Sequence, residues 1–203
     1  MYFVRTEIMV RPGAASEVEK LWPELFKGQK GLQLAILGNS LGYPAKYVSG
    51  TRWDSREAFL GFYKSAGLQA QYRSMAELIT FSRPQEAYEQ VFRVGSPSAP
   101  GSHAVLIDWT VNPGNGPAFE SNRKELFELR QKHGKGFGVN TLWRFLGSAN
   151  RYLITQAWNS REEAQAAAAV PEVAAFIRAH PYTEFGNAPG QPESYAVVNR
   201  LQP

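Results

Sequence analysis

The chain carries the same unit twice. Leu41-Gly42…Tyr47…Trp53-Asp54-Ser55-Arg56-Glu57 returns as Leu146-Gly147…Tyr152…Trp158-Asn159-Ser160-Arg161-Glu162, without a gap and at a constant offset of 105 residues. An internal repeat sets the architecture before any local signal does. Two copies of a unit roughly a hundred residues long do not make a solenoid. They imply a duplicated domain whose halves pack on each other as a homodimer would.

Composition agrees with a folded chain. Of 203 residues, 43% are hydrophobic and 13% aromatic, enough for a real core. The net charge is +4, and no Lys/Arg run exceeds two residues. Nucleic-acid binding needs a denser basic stripe, so no nucleic-acid partner is expected. There is no cysteine, which excludes disulfides, thiolate nucleophiles and Cys-ligated metal. That suits the cytoplasm. No apolar run approaches the length of a membrane span, and Met1-Tyr2-Phe3-Val4-Arg5 has no signal-peptide layout.

Reading along the chain, Phe3 to Val10 forms a strand closed by Pro12-Gly13. Ser16 is placed to cap a helix whose Val18, Leu21, Trp22, Leu25 and Phe26 make one apolar stripe. Pro23 within it predicts a kink or an irregular first turn. Leu32 to Leu37 and Lys46 to Trp53 are strands, the latter with Tyr47, Ser49, Thr51 and Trp53 on one face. Asp54 with Glu57 has capping-box spacing, and a helical stretch follows to about Leu78. Tyr88 to Val94 is the fourth strand. Gly95 to Ser102 is a linker by composition.

The order then restarts. Ala104 to Val111 is a strand closed by Pro113-Gly114, Phe119 to Lys132 a helix, and Val139 to Phe145 and Arg151 to Trp158 are strands. Asn159-Ser160-Arg161-Glu162 repeats the cap. Glu193-Ser194-Tyr195 echoes Glu86-Ala87-Tyr88 at the start of a last strand. The boundaries expected are repeat 1 over 1–94, a linker over 95–102 and repeat 2 over 103–203. Each half is β-α-β-β-α-β, the ferredoxin-like order. A strand with apolar side chains on both faces needs cover on both. The fold expected is therefore α+β: two ferredoxin-like repeats packed sheet to sheet as a pseudo-dimeric α+β barrel.

That order, with Trp53-Asp54-Ser55-Arg56-Glu57-Ala58-Phe59 and Trp158-Asn159-Ser160-Arg161-Glu162-Glu163-Ala164 leading into the second helix of each half, resembles the dimeric α+β-barrel superfamily. The branch it is most similar to is the antibiotic-biosynthesis-monooxygenase-like group, here as a fused tandem pair. The resemblance implies a cofactor-free oxygenase of phenolic or quinol compounds, a haem-degrading oxygenase, or a ligand-binding relative of either. The haem-degrading branch uses an Asn on the first strand, a Trp in the second helix and a His late in that helix. Those positions fall on Thr6, Phe62 and Tyr72 in repeat 1. In repeat 2 the strand and helix positions fall on Asp108 and Ala167, and Phe176-Ile177-Arg178-Ala179-His180 matches the His context.

Residue chemistry adds candidates. His180 continues the apolar stripe of Val173, Phe176 and Ile177, where it could shuttle a proton or ligate iron. A carboxylate at Asp108, between Ile107 and Trp109, could serve as a base. Trp109 and Trp143 have no aromatic counterpart in repeat 1, where Glu7 and Gly38 align. Unmatched aromatics point to an apolar pocket in repeat 2. Arg5, Arg52, Arg144 and Arg151 lie on or beside strands and could bind an anion.

Three functions remain open on these grounds. One is a cofactor-independent monooxygenase-like protein acting on a small aromatic or polyketide-like compound. There, His180 or Asp108 is the base, and Trp109, Trp143, Tyr72, Phe62 and Arg144 hold the substrate. Another is a haem-binding protein with His180 as axial ligand. The third is a non-catalytic ligand-binding or assembly module, as monomer or homodimer.

Overall fold

The computed structural model describes residues 1–96, 101–186 and 189–202, so residues 97–100 of the expected linker lie outside the described residues. The elements are β1 (Tyr2–Val10), α1 (Ala15–Phe26), β2 (Leu32–Ser40), β3 (Lys46–Trp53), α2 (Arg56–Tyr63), α3 (Ala66–Ala76), β4 (Ile79–Ser82) and β5 (Glu86–Gly95). They continue as β6 (His103–Thr110), α4 (Gly116–His133), β7 (Phe137–Phe145), β8 (Arg151–Trp158), α5 (Arg161–Ala169), α6 (Pro171–Ala179) and β9 (Glu193–Leu201). The fold is α+β, with nine strands and six α-helices among the described residues. No helix among them is long and apolar enough to cross a membrane.

The chain forms two compact units, Met1–Tyr88 with Tyr195–Pro203, and Glu89–Ser194. In the first, the strand order is β4-β1-β3-β2-β9, and in the second β6-β8-β7-β5. The last strand of repeat 2 therefore sits on β2 of repeat 1, with Ser40 opposite Tyr195 and Ala35 opposite Leu201. Reciprocally, the last strand of repeat 1 lies beside β7 of repeat 2. Repeat boundaries in sequence are thus not unit boundaries in space. An unpaired strand edge accepts whichever strand reaches it. Gly38 admits the newcomer: a Cβ there would lie 3.0 Å from the Tyr195 Cβ.

Local chemistry explains the elements and corrects the sequence at several points. Ser55 and Ser160, one residue past the expected Asp54 and Asn159, are the caps; each hydroxyl accepts from the amide three residues on. Ser16 is no cap, because α1 starts one residue earlier with Ala14 at its N-cap. The single helix expected up to Leu78 is two, broken where Ser65 caps α3. The short strand β4 follows it on β1 and was not anticipated.

The α1 helix is continuous through Pro23. Proline cannot donate to the carbonyl four residues back, which leaves the Glu19 oxygen without its helical donor. Asn199 of β9 replaces the missing amide, its Nδ2 donating to the Glu19 oxygen at 2.7 Å. Asn199→Leu should lower stability by about 1–2 kcal/mol. In a Pro23→Ala background the loss should shrink, because the alanine amide restores the bond. A urea-denaturation double-mutant cycle reads the difference.

On β3, Tyr47, Ser49, Thr51 and Trp53 share the face that packs on the helices. Trp22 donates to Ser49 at 3.1 Å and Trp53 to Thr51 at 2.9 Å. The Tyr47 hydroxyl donates to Glu19 at 2.7 Å, and repeat 2 keeps the same pair as Tyr152 and Glu120 at 2.8 Å. Burial, with the Glu19 carboxylate beside it, pushes the Tyr47 phenol up to about 12. The folded state then holds this proton more tightly than the unfolded chain, whose tyrosines titrate near pH ~10. The stabilisation is complete below pH ~10 and is lost as pH rises towards ~12. Tyr47→Phe should flatten the stability profile in that window, as followed by denaturation at stepped alkaline pH.

Candidate functional site

In the first unit a cavity of about 270 Å³ lies between the sheet and the helices. Its floor is the helix-facing side of β1 and β3, with Val4, Thr6, Ile8, Ser49 and Thr51. Its walls are Trp22, Leu25 and Phe26 of α1, Phe59 and Phe62 of α2, and Tyr72 and Met75 of α3. Strand β4 and Gln85 close the remaining side. The aromatic walls pack on one another. Phe62 lies 5.0 Å from Trp53 and 5.3 Å from Phe26, ring centre to ring centre.

The Ser49 and Thr51 hydroxyls of the floor accept from Trp22 and Trp53, and a further group of polar side chains gathers where the cavity meets a second cleft. Thr6, Tyr72, Ser82 and Gln85 line both this cavity and an adjoining cleft that adds Tyr63, Gln69 and Arg83. The Gln85 Nε2 donates to the Tyr72 oxygen at 3.4 Å. Burial, the larger effect, pushes the Tyr72 phenol up, and the Gln85 bond opposes it. Tyr72 is thus a neutral phenol at physiological pH. With its oxygen accepting from Gln85, its own proton is available to a guest. Among the described residues, no carboxylate, imidazole or amine lines the cavity.

Of the residues singled out in the sequence, Phe62 and Tyr72 meet here, together with Thr6. Asp108, Trp109, Trp143, Arg144 and His180 are not among the residues that line this cavity, nor are Arg5, Arg52, Arg151 and Ala167. The strand registers explain why Asp108 is absent from any equivalent position. Tyr2 pairs with Trp53 and His103 with Trp158, so Thr6 corresponds to Ile107 and Glu7 to Asp108. The alignment of Asp108 with Thr6 was one residue out, and one residue in a strand exchanges its faces. By the same register Trp109 corresponds to Ile8, not to Glu7.

Trp109 is 3% exposed and packs 5.0 Å from Phe119, with the Arg123 guanidinium 5.2 Å from its ring centre. Trp143 donates to Thr155 at 2.9 Å. Arg144 is engaged by Glu120 and, at 3.3 Å, by Glu89. Arg5 is likewise held, 2.5 Å from Glu86. His180 ends α6, with its ring 4.6 Å from Phe176 and its Nδ1 3.3 Å from Glu184, and its side chain is 40% exposed.

Sequence reasoning missed Gln85 and β4. Four residues are too few for strand alternation to show. It also missed the Glu19–Tyr47 and Glu120–Tyr152 pairs, although the offset between the two Pro-Gly turns would have aligned the two glutamates.

Residues 1–74 match the family model for antibiotic biosynthesis monooxygenase. No curated protein matches the chain. Among solved structures, a candidate monooxygenase of Fusobacterium nucleatum superposes with a TM-score of 0.83 at 9% identity, covering 99% of this chain and 94% of that one. A candidate monooxygenase of Lactobacillus acidophilus gives 0.81 at 9% identity, covering 99% and 95%. A haem-degrading enzyme of Listeria monocytogenes gives 0.54 at 11% identity, covering 97% and 99%. At such identities the likeness is one of fold. Residues 1–74, most of the first repeat, are thus similar to the antibiotic biosynthesis monooxygenase family model, and nearly the whole chain shares its fold with the two candidate monooxygenases.

Proposed function

We propose that the chain binds a small, neutral aromatic or polyketide-like molecule in the cavity of the first unit and oxygenates it without a cofactor. The observation that carries this reading is a cavity walled by apolar and aromatic side chains with Tyr72 and Gln85 hydrogen-bonded at its polar opening. A volume of about 270 Å³ lies just below the usual range for drug-sized ligands, which suits two or three fused rings. The Tyr72 hydroxyl would donate to a ligand oxygen. That bond strengthens as the ligand loses its own proton, and so favours the anion that passes an electron to dioxygen. The substrate is the reductant and dioxygen the four-electron oxidant: one oxygen atom replaces the two hydrogens of the activated ring carbon as a carbonyl, and the other leaves with those hydrogens as water.

Haem does not fit this cavity. A porphyrin exceeds its volume, and the lining offers no imidazole. His180, the expected axial ligand, lies outside it, beside Glu184. A second reading, binding without turnover, is favoured by the lack of an ionisable base in the lining.

Oxygen consumption with a panel of quinols and anthrones separates the two readings. Turnover is expected, and Tyr72→Phe should lower kcat/KM about 10- to 100-fold, the worth of one hydrogen bond to a developing charge. Tight binding, seen as quenched Trp22 fluorescence, with no oxygen uptake for any compound would leave the binding module.

A further inference from the structure

The two repeats treat the same space in opposite ways. Residues of the cavity floor in repeat 1 have counterparts fixed by strand register, and residues of α1 have counterparts fixed by helix position. Thr6, Ile8 and Ser49 of the cavity floor correspond to Ile107, Trp109 and Ile154. Helices α1 and α4 start at the same place in the repeat, with the Val18 amide bonded to Ala14 and the Phe119 amide to Asn115. Val18 therefore corresponds to Phe119, and Trp22 to Arg123. At Thr6, Ile8 and Ser49 of the floor, and at Val18 on α1, the side chain in repeat 2 is larger, whereas by the 105-residue offset the wall residues Phe59 and Phe62 correspond to Ala164 and Ala167.

These larger groups fill the space. Phe119 is 0% exposed, Ile154 2% and Trp109 3%. The Trp109 and Phe119 rings lie 5.0 Å apart, and the Arg123 guanidinium covers both, 5.2 and 5.4 Å from their centres. The Trp109 and Phe119 rings thus occupy, in repeat 2, the positions that Ile8 and Val18 hold in repeat 1.

We infer that repeat 2 holds a second, occluded copy of the ligand site, closed by Trp109 and Phe119 beneath Arg123, and that the chain takes one neutral ring-sized ligand, in repeat 1. The class of ligand rests on the function proposed above. The occlusion rests only on the packing of repeat 2. Restoring the repeat 1 residues with Trp109→Ile and Phe119→Val should open a dry apolar cavity, which binds small ring compounds.

Calorimetric titration with indole tests this on the full chain. The wild type should bind one equivalent and the double variant two. Two equivalents in the wild type, or still one in a folded double variant, overturns the inference. No binding by the wild type with one equivalent in the variant upholds the occlusion while sinking the proposed ligand site of repeat 1. Should the double variant fail to fold, the converse substitution Ile8→Trp carries the test. It should abolish the wild-type equivalent, and unchanged indole binding by Ile8→Trp refutes the plug.

Discussion

Replacing Trp53 by alanine should lower the stability of the chain by about 3–5 kcal/mol, the range for truncating a buried tryptophan. The side chain is 0% exposed. It lies 5.0 Å from Phe62 and 5.8 Å edge-on from Phe59, and its Nε1 is satisfied by Thr51. Aromatic pairs add about 0.5–1.5 kcal/mol each beyond buried area, so the loss should fall in the upper half of the range. The void would adjoin the existing cavity and deprive Thr51 of its donor. The expected readout is a lower urea midpoint at unchanged slope. A midpoint within error of the wild type would mean that this aromatic cluster does not hold the first unit together.

Gly95→Ala should cost about 3–5 kcal/mol, combining backbone strain with an immovable clash. Gly95 has φ +98, where side chains are strained. A Cβ there would meet the Gly138 carbonyl oxygen at 2.3 Å and the Val139 Cα at 3.0 Å. Both are backbone atoms of β7, the strand beside which β5 lies, so neither can swing aside. Gly114→Ala is the control. Its φ is +89 but nothing lies within 4 Å, so it should show only conformational strain, about 1–2 kcal/mol. Equal losses in the two variants would rule out the clash.

How much of this was legible beforehand depended on which residues carried the signal. The repeated Trp53 and Trp158 are large, buried and followed by serine caps, so they marked β3, β8 and the helices after them with little ambiguity. The strands β1 and β6 bear no such marker. Their offset is 101 residues, fixed in space by the Tyr2–Trp53 and His103–Trp158 pairs and carried in the sequence by the Pro-Gly turns that close them. An error of one residue there set Asp108 against Thr6 in place of Glu7. The unmatched Trp109 was read as the wall of a pocket. Sequence cannot distinguish an aromatic that lines a space from one that fills it, because the difference lies in the Phe119 and Arg123 groups stacked upon it. Tyr72 and Phe62 were reachable by spacing from the helix cap. Gln85 was not, since its role depends on a short strand and a turn bringing it back to α3.

The Asn199 side chain that completes α1 at Pro23 follows the carbonyl it satisfies by 180 residues. A ribosome making this protein has long finished the cavity walls before it adds the group that satisfies them. A chain ending between β8 and β9 would hold a first unit with an orphan carbonyl in its helix and a bare edge at β2. The first unit is therefore complete only once the whole of the second has been synthesised.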